Sequence, residues 1–260
     1  MKELFSAEEI SVFYGEKQVL NRLSFSLSAG EVTGLLGKNG GGKTTLFRSI
    51  CGQLPYEGRF LLEGKDLRSC SAKERAQRIS YLPQRHGIAF SLPVVEVVLL
   101  GVSPWLSLFG QPTKARRQAA MEALEQVGLA DLSHRDFLTL SEGQKQLCLL
   151  ARTMVQQAGF WLLDEPDAAL DVENKQLLFR KVRQMVAAGQ KAALMAIHDP
   201  QLALGCCDRL LFLKEGALAA SIVPKTATEA EMTAAFRLLY PKARPFLRQG
   251  KWFLDWEEEQ

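Results

Sequence analysis

Two groups of residues could do chemistry on a phosphate. The first runs Gly37-Lys38-Asn39-Gly40-Gly41-Gly42-Lys43-Thr44-Thr45 and fits the pattern G-x-x-x-x-G-K-[ST]. Glycines at this spacing let consecutive backbone N–H groups curl around phosphate oxygens where side chains would clash. A helix starting near Lys43 would add the positive end of its dipole. Lys43 would then reach the β- and γ-phosphates, and the Thr44 hydroxyl would ligate magnesium. The second group, Phe160-Trp161-Leu162-Leu163-Asp164-Glu165, is four apolar residues followed by two carboxylates. A buried strand would deliver both acids to the sheet edge where the phosphate loop sits. Asp164 would hold magnesium through water, and Glu165 would polarise an attacking water. A strand ending in solvated acids looks the same in isolation. With the phosphate loop upstream, the acids read as the other half of a nucleotide site.

These residues need a sheet to hold them, and the flanking sequence supplies one. Val32 to Leu36 is apolar, ends in glycine and precedes the helical pattern from Lys43. Gly58 to Leu62 and Ile79 to Leu82 are further strands bounded by turn residues. Ser71 and Glu74 have the spacing of a helix capping box. From Pro83 to Ala158 no strand is predicted. Instead Thr113 to Val127 carries Ala120, Leu124 and Val127 at helical spacing, with Gly128 as a stop. Strands resume at Phe160 to Leu163 and Ala192 to Ile197, the continuous apolar runs of a parallel sheet. The helix between them, Val172 to Ala188, is expected to stop at Gly189. Asp199-Pro200 reads as a cap with proline in the first turn. Leu210 to Leu213 and Ala217 to Ile222 suggest a hairpin through Glu215-Gly216, and Thr228 with Glu231 caps a last helix. In the tail, Phe246, Trp252, Phe253 and Trp256 flank Gln249-Gly250, a second hairpin turn. Alternating strands and helices imply a mostly parallel, helix-covered sheet.

Composition narrows the function. The chain has 260 residues, 47% of them hydrophobic and 23% charged, enough for a sizeable core and unlike a disordered chain. Thirty-two basic residues against 29 acidic ones leave a net charge of +3, too balanced for a nucleic-acid partner. Cys51, Cys70, Cys148, Cys206 and Cys207 are odd in number and lack metal-ligand spacing, as expected of idle thiols in a reducing compartment. Met1 to Ile10 has no apolar signal core. Leu92 to Phe109 is broken by Pro93, Glu96, Gly101 and Pro104, short of the roughly 20 clean residues of a membrane span. A soluble, cytoplasmic chain is expected, with any membrane role reached through a partner.

Further residues, in order along the chain, resemble the ATPases of ABC transporters. Leu140-Ser141-Glu142-Gly143-Gln144 is similar to that family's signature LSGGQ and lies between the two nucleotide motifs. Gln84, in Tyr81-Leu82-Pro83-Gln84, resembles the glutamine loop. Ala169-Leu170-Asp171 resembles the loop after the acids, and His198 the switch histidine. Tyr14 stands where the family keeps an aromatic that stacks on adenine. Each has a bland alternative: Tyr14 as a strand aromatic, Gln84 as a polar loop residue, His198 as a satisfied strand-end histidine. Ser141 and Gln144 have capping-box spacing, which is compatible with the functional reading.

The resemblance implies an ABC ATPase fold: a mostly parallel core sheet, an antiparallel β portion and an α-helical insertion. It implies one domain over 1–260, with the nucleotide-binding core over 1–84 and 159–239, a helical subdomain over 85–158 and a tail over 240–260. It also implies ATP and Mg2+, with ATP held by Tyr14, Gly37, Asn39, Gly40, Gly41, Gly42, Lys43, Thr44 and Thr45 of one copy. Ser141, Gly143 and Gln144 of a second copy would complete the site. Thr44, Gln84 and Asp164 would serve the metal, and Lys43, Gln84, Glu165 and His198 catalysis.

The expected partners are a second copy, permease subunits docked on the helical subdomain and, indirectly, a substrate-binding protein, at the inner face of the cell membrane. Phe90, Leu92, Trp105, Leu106 and Phe109 could form the docking patch. Gly101-Val102-Ser103-Pro104-Trp105 resembles the G-R-x-P stretch of iron–siderophore, haem and cobalamin importer ATPases, with Val102 in place of arginine. An exporter, another importer and a soluble non-transport ATPase remain alternatives. Glu142 replaces the family's usual glycine, and its carboxylate, which would repel phosphate, is expected to point away from the nucleotide.

Overall fold

The computed structural model describes residues 2–84, 87–107, 109–188 and 190–257. In chain order the elements are β1 (Glu3–Tyr14), β2 (Lys17–Ser28), β3 (Val32–Gly37), α1 (Lys43–Ile50), β4 (Glu57–Leu62), β5 (Lys65–Asp66), α2 (Ala72–Arg78) and β6 (Ile79–Leu82). The helical middle follows with α3 (Val94–Leu99), a 3-10 stretch (Leu100–Trp105), α4 (Lys114–Gln126) and α5 (Glu142–Val155). Then come β7 (Phe160–Asp164), α6 (Val172–Ala188), β8 (Ala192–Ala196), α7 (Pro200–Cys206), β9 (Arg209–Lys214), β10 (Ala217–Ile222), α8 (Glu229–Arg237), β11 (Ala243–Arg248) and β12 (Lys251–Trp256).

The central sheet has the order β10-β9-β3-β8-β7-β6, parallel throughout except for β10 against β9. Its inner strands are buried on both faces, which is why they read as unbroken apolar runs. Strand β7 shows the division: Phe160 and Leu162 join one core, Trp161 and Leu163 the other. The first core lies under an antiparallel sheet of order β2-β1-β4-β5, where Phe5 stacks on Phe160 at 4.6 Å and on Phe60 at 5.8 Å. The second is covered by α3 to α6 and α8. In this layer Gly101 has no room for a side chain, since a Cβ there would stand 2.2 Å from the Arg152 carbonyl of α5.

Most predicted elements form where their residues indicated. Ser71, Ser141 and Thr228 each accept a hydrogen bond from the backbone N–H three residues on and close reciprocal capping boxes. Between Pro83 and Ala158 the described residues form no strand, only an isolated bridge between Pro93 and Asp136. The expected stop at Gly189 lies outside the described residues.

Two features escaped the sequence reading. The longest strands, β1 and β2, were not singled out, because their pairing slips at several points and Glu9 adopts φ +52°. Each slip inverts the in–out alternation by which a strand is recognised. The tail hairpin β11–β12 forms as expected, but it is tied to α7 by a side chain. The Gln201 carboxamide accepts from Leu254 N at 2.8 Å and donates to Trp252 O at 3.3 Å, occupying the outer edge of β12. An edge blunted this way offers no template for another strand.

Among the described residues no helix is long and apolar enough to cross a membrane. The five cysteines are free thiols.

Candidate functional site

Four adjacent parallel strands end at one edge of the central sheet. There β3 leads into the phosphate loop, β8 runs on to His198, β7 ends in Asp164 and β6 leads to Gln84. At that edge lies a cavity of about 290 Å³ lined by Asn39, Gly40, Gly41, Gly42, Lys43, Thr44, Thr45, Gln84, Glu165 and His198. Residues separated by up to 159 positions in sequence thus share one concave surface, as expected at the carboxyl ends of strands in an α/β sheet.

The loop is held open by conformations that only glycine accepts without strain. Gly42 sits at φ +104°, and a Cβ there would meet Leu20 at 2.7 Å; one on Gly41 would meet the Lys38 carbonyl at 2.9 Å. Gly42 caps α1 without any side-chain hydrogen bond, and no acid occupies the first turn. The helix therefore presents its positive end to the cavity with no competing anion of its own. Lys43 is 5% exposed, and its Nζ donates to the carbonyl of Gly37 at 2.8 Å and of Lys38 at 3.4 Å. It lies 3.9 Å from Glu165 Oε1. Burial lowers the Lys43 pKa, while Glu165 and Asp164 pull it back up.

Asp164 is 1% exposed. Its Oδ2 accepts from the Tyr81 hydroxyl at 3.3 Å, while Oδ1 is buried with no hydrogen-bond partner. Burial is the main influence on its pKa and pushes it up, against the opposing effect of the Thr44 hydroxyl. An orphaned carboxylate oxygen in the interior is costly. A hard divalent cation, which takes oxygen ligands, would relieve it, with the Thr44 hydroxyl as a second donor. Among the described residues no cluster of three or more His, Cys, Asp or Glu could hold a metal alone.

Glu165 stands just before Pro166 with φ +49°, a left-handed conformation that is strained for a glutamate. Such strain costs on the order of 1–3 kcal/mol and clusters at functional sites. It is fixed by a hydrogen bond from Glu165 N to Ala196 O at 3.0 Å. Glu165 Oε2 accepts from Gln84 Nε2 at 2.6 Å, joining the acid to the loop after β6.

The other predicted residues lie off the cavity. Gly37 is the buried last residue of β3 and takes part through its carbonyl. Tyr14 ends β1 and is 45% exposed. Ser141, Gly143 and Gln144 form the first turn of α5, where Ser141 Oγ accepts from Gln144 N at 3.2 Å and Gln144 Oε1 from Ser141 N at 3.1 Å. The Glu142 carboxylate accepts from Lys145 Nζ at 2.7 Å along its own helix. Asp171 accepts from Asn174 N at 2.9 Å at the start of α6. Of the apolar patch, Phe90, Trp105 and Phe109 are exposed, whereas Leu92 and Leu106 pack against the core. Tyr81 had no role in the sequence reading, because its reach to Asp164 depends on the register of β6 against β7, which local pattern does not specify.

Phosphate loop, paired acids and parallel sheet together define a phosphate-loop NTPase. The ABC transporter family profile matches residues 20–168. A Pseudomonas fluorescens protein named as the hemin import ATP-binding protein HmuV is 38% identical over 238 residues, covering 89% of this chain and 91% of its own. The Bacillus subtilis ABC transporter ATP-binding protein YvrA is 36% identical over 88% of this chain, which spans about half, 53%, of that relative's length. An inward-facing ABC transporter proposed to be of metal-chelate type superposes with a TM-score of 0.79 at 24% identity, covering 97% of this chain and 96% of the other. The chain belongs to the ABC transporter family and is an ATP-binding cassette ATPase of that family.

Proposed function

We propose that two copies of this chain associate head to tail and hydrolyse ATP between them, powering a permease that imports a metal chelate of the iron–siderophore, haem or cobalamin type. The observation that carries the pairing is that one copy gathers Lys43, Thr44, Gln84, Glu165 and His198 around a cavity while Ser141, Gly143 and Gln144 stand off it. The start of α5, capped by Ser141, would offer a second copy's γ-phosphate the positive end of a helix dipole and the Ser141 hydroxyl.

In this reading Lys43 exchanges the carbonyls of Gly37 and Lys38 for phosphate oxygens, and Tyr14 stacks on the adenine. Thr44, Asp164 and Gln84 hold magnesium, which when bound supplies positive charge to the phosphate oxygens. Glu165 accepts a proton from the attacking water once Gln84 releases it, and His198 donates to the γ-phosphate as charge builds there. The exposed Phe90, Trp105 and Phe109 would face the permease from a helical subdomain of residues 85–158, with the chain working at the inner face of the membrane. The resemblance at Gly101 to Trp105 and the relatives' hemin and metal-chelate names support the cargo class.

The test is ATPase activity against protein concentration, with Glu165→Gln as control. Specific activity should rise with concentration, and the variant should form an ATP-dependent dimer with hydrolysis reduced about 10²–10⁴-fold. Concentration-independent turnover by a monomer would exclude the shared site. Reconstituted with its permease, the chain should hydrolyse ATP faster when a chelate-loaded binding protein is added; stimulation by a different cargo class alone would refute the cargo assignment.

A further inference from the structure

Strand β6 and the loop after it reach the two acids at the end of β7 with two side chains three residues apart. Gln84 Nε2 holds Glu165 at 2.6 Å, and the Tyr81 hydroxyl holds Asp164 Oδ2 at 3.3 Å. The second contact has no place in the roles assigned above. We propose that Tyr81 is a positioning residue for magnesium binding, fixing one oxygen of Asp164 so that the other stays aimed at the cation. This rests on the reading of Asp164 as a metal ligand.

Two observations support the assignment. The carboxylate is used asymmetrically, with Oδ2 held by Tyr81 and Oδ1 buried without a partner. A carboxylate tied at one oxygen cannot rotate freely, so the lone pairs of the other are oriented before the ion arrives. Groups that fix a metal ligand from outside in this way are a recurrent part of metal sites.

The tyrosine is itself held in place. Its ring meets Phe47 of α1 edge-on at 6.3 Å and 84°, on the helix that begins with Lys43 and Thr44. Its carbonyl accepts from Arg152 Nη2 of α5 at 3.4 Å, on the helix that Ser141 opens.

The test measures binding of a fluorescent ATP analogue in a Glu165→Gln background, first in EDTA and then titrated with Mg2+. Tyr81→Phe keeps the ring and its contact with Phe47 and removes only the hydroxyl. The variant should need about tenfold more Mg2+ for half-maximal tightening, the low end for loss of a ligand's supporting group. Its affinity in EDTA and its thermal midpoint should stay at wild-type values. Asp164→Asn is the reference and should lose the Mg2+ response. Unchanged Mg2+ dependence in Tyr81→Phe alongside a lost response in Asp164→Asn would overturn the role of Tyr81 alone. An unchanged response in both would overturn the reading of Asp164, and the inference with it. A Tyr81→Phe variant that binds ATP more weakly in EDTA to the same extent would mark the hydroxyl as structural and also overturn the inference.

Discussion

Ser141 caps α5 and, in the proposed dimer, would also meet a phosphate, and substitution can separate the two tasks. Its Oγ accepts the Gln144 backbone N–H, closing the capping box of α5. A hydroxyl has one proton and two lone pairs, so accepting this bond leaves the O–H free to donate to a phosphate of the opposing copy. Ser141→Ala removes both functions. Loss of the cap should cost about 1 kcal/mol, a drop of about 2–4 °C in the thermal midpoint for a domain of this size. Ser141→Asp keeps an equally good cap and suits the helix dipole, so the nucleotide-free protein should melt at the wild-type temperature. Aspartate cannot donate, however, and it places a negative charge where a phosphate would arrive.

A hydrogen bond to a charged group contributes about 1.5–3 kcal/mol, and a symmetric dimer with two sites would lose it twice. The resulting 3–6 kcal/mol corresponds to about 10²–10⁴-fold weaker ATP-dependent dimerisation for Ser141→Ala, with Ser141→Asp at least as weak. Sedimentation equilibrium with ATP in the Glu165→Gln background, paired with thermal unfolding without nucleotide, measures both quantities. If Ser141→Asp dimerises with ATP as tightly as wild type, the signature turn does not meet a phosphate and the head-to-tail reasoning fails.

Three further outcomes follow from side chains already described. Glu142→Gly should leave ATPase activity close to wild type, since the carboxylate is engaged by Lys145; a large gain would show that it repels the nucleotide. Asp164→Asn should raise the thermal midpoint of the nucleotide-free protein at neutral pH. The folded state raises the Asp164 pKa through burial, so that group's contribution is complete below the unfolded value and lost as pH rises through the folded one. The gap between variant and wild type should therefore close as the pH approaches about 4, and a gap that widens on acidification would contradict the burial argument. Phe5→Ala removes the ring that joins the antiparallel sheet to β7. It should cost about 3–5 kcal/mol, roughly 10 °C, and a loss under about 1 kcal/mol would mean the two sheets do not share a core.

What was legible in the sequence was whatever chemistry or periodicity dictates locally. A loop with Gly42 at φ +104° admits glycine, a strand buried on both faces needs a run such as Phe160 to Leu163, and a cap needs Ser141 or Thr228. What stayed hidden depends on register between distant segments. The bulged pairing of β1 disguises a 12-residue strand, and the grip of Gln201 on β12 joins residues about fifty positions apart. The split of the apolar patch, with Leu92 and Leu106 inside and Phe90 and Phe109 outside, required knowing where the 3-10 stretch turns.

The contacts of Lys43, Gln84 and Glu165 bear on how fast an isolated copy should turn over. Two of the reactive groups, Lys43 and Glu165, are engaged by protein groups. Lys43 binds the loop's own carbonyls instead of phosphate, and Glu165 binds the Gln84 amide instead of water. The 2.6 Å bond from Gln84 occupies Glu165 Oε2, the oxygen that a water would otherwise approach. Asp164 Oδ1, by contrast, is buried with no hydrogen-bond partner. Binding of ATP with its cation would therefore gain most at Asp164 and only exchange partners at Lys43 and Glu165. With Glu165 as the proposed base, catalysis would require Gln84 to withdraw from it, and Gln84 lies between β6 and the helices α3 to α5. A permease acting on that subdomain would need to shift the Gln84 amide only far enough to break one hydrogen bond to free the base.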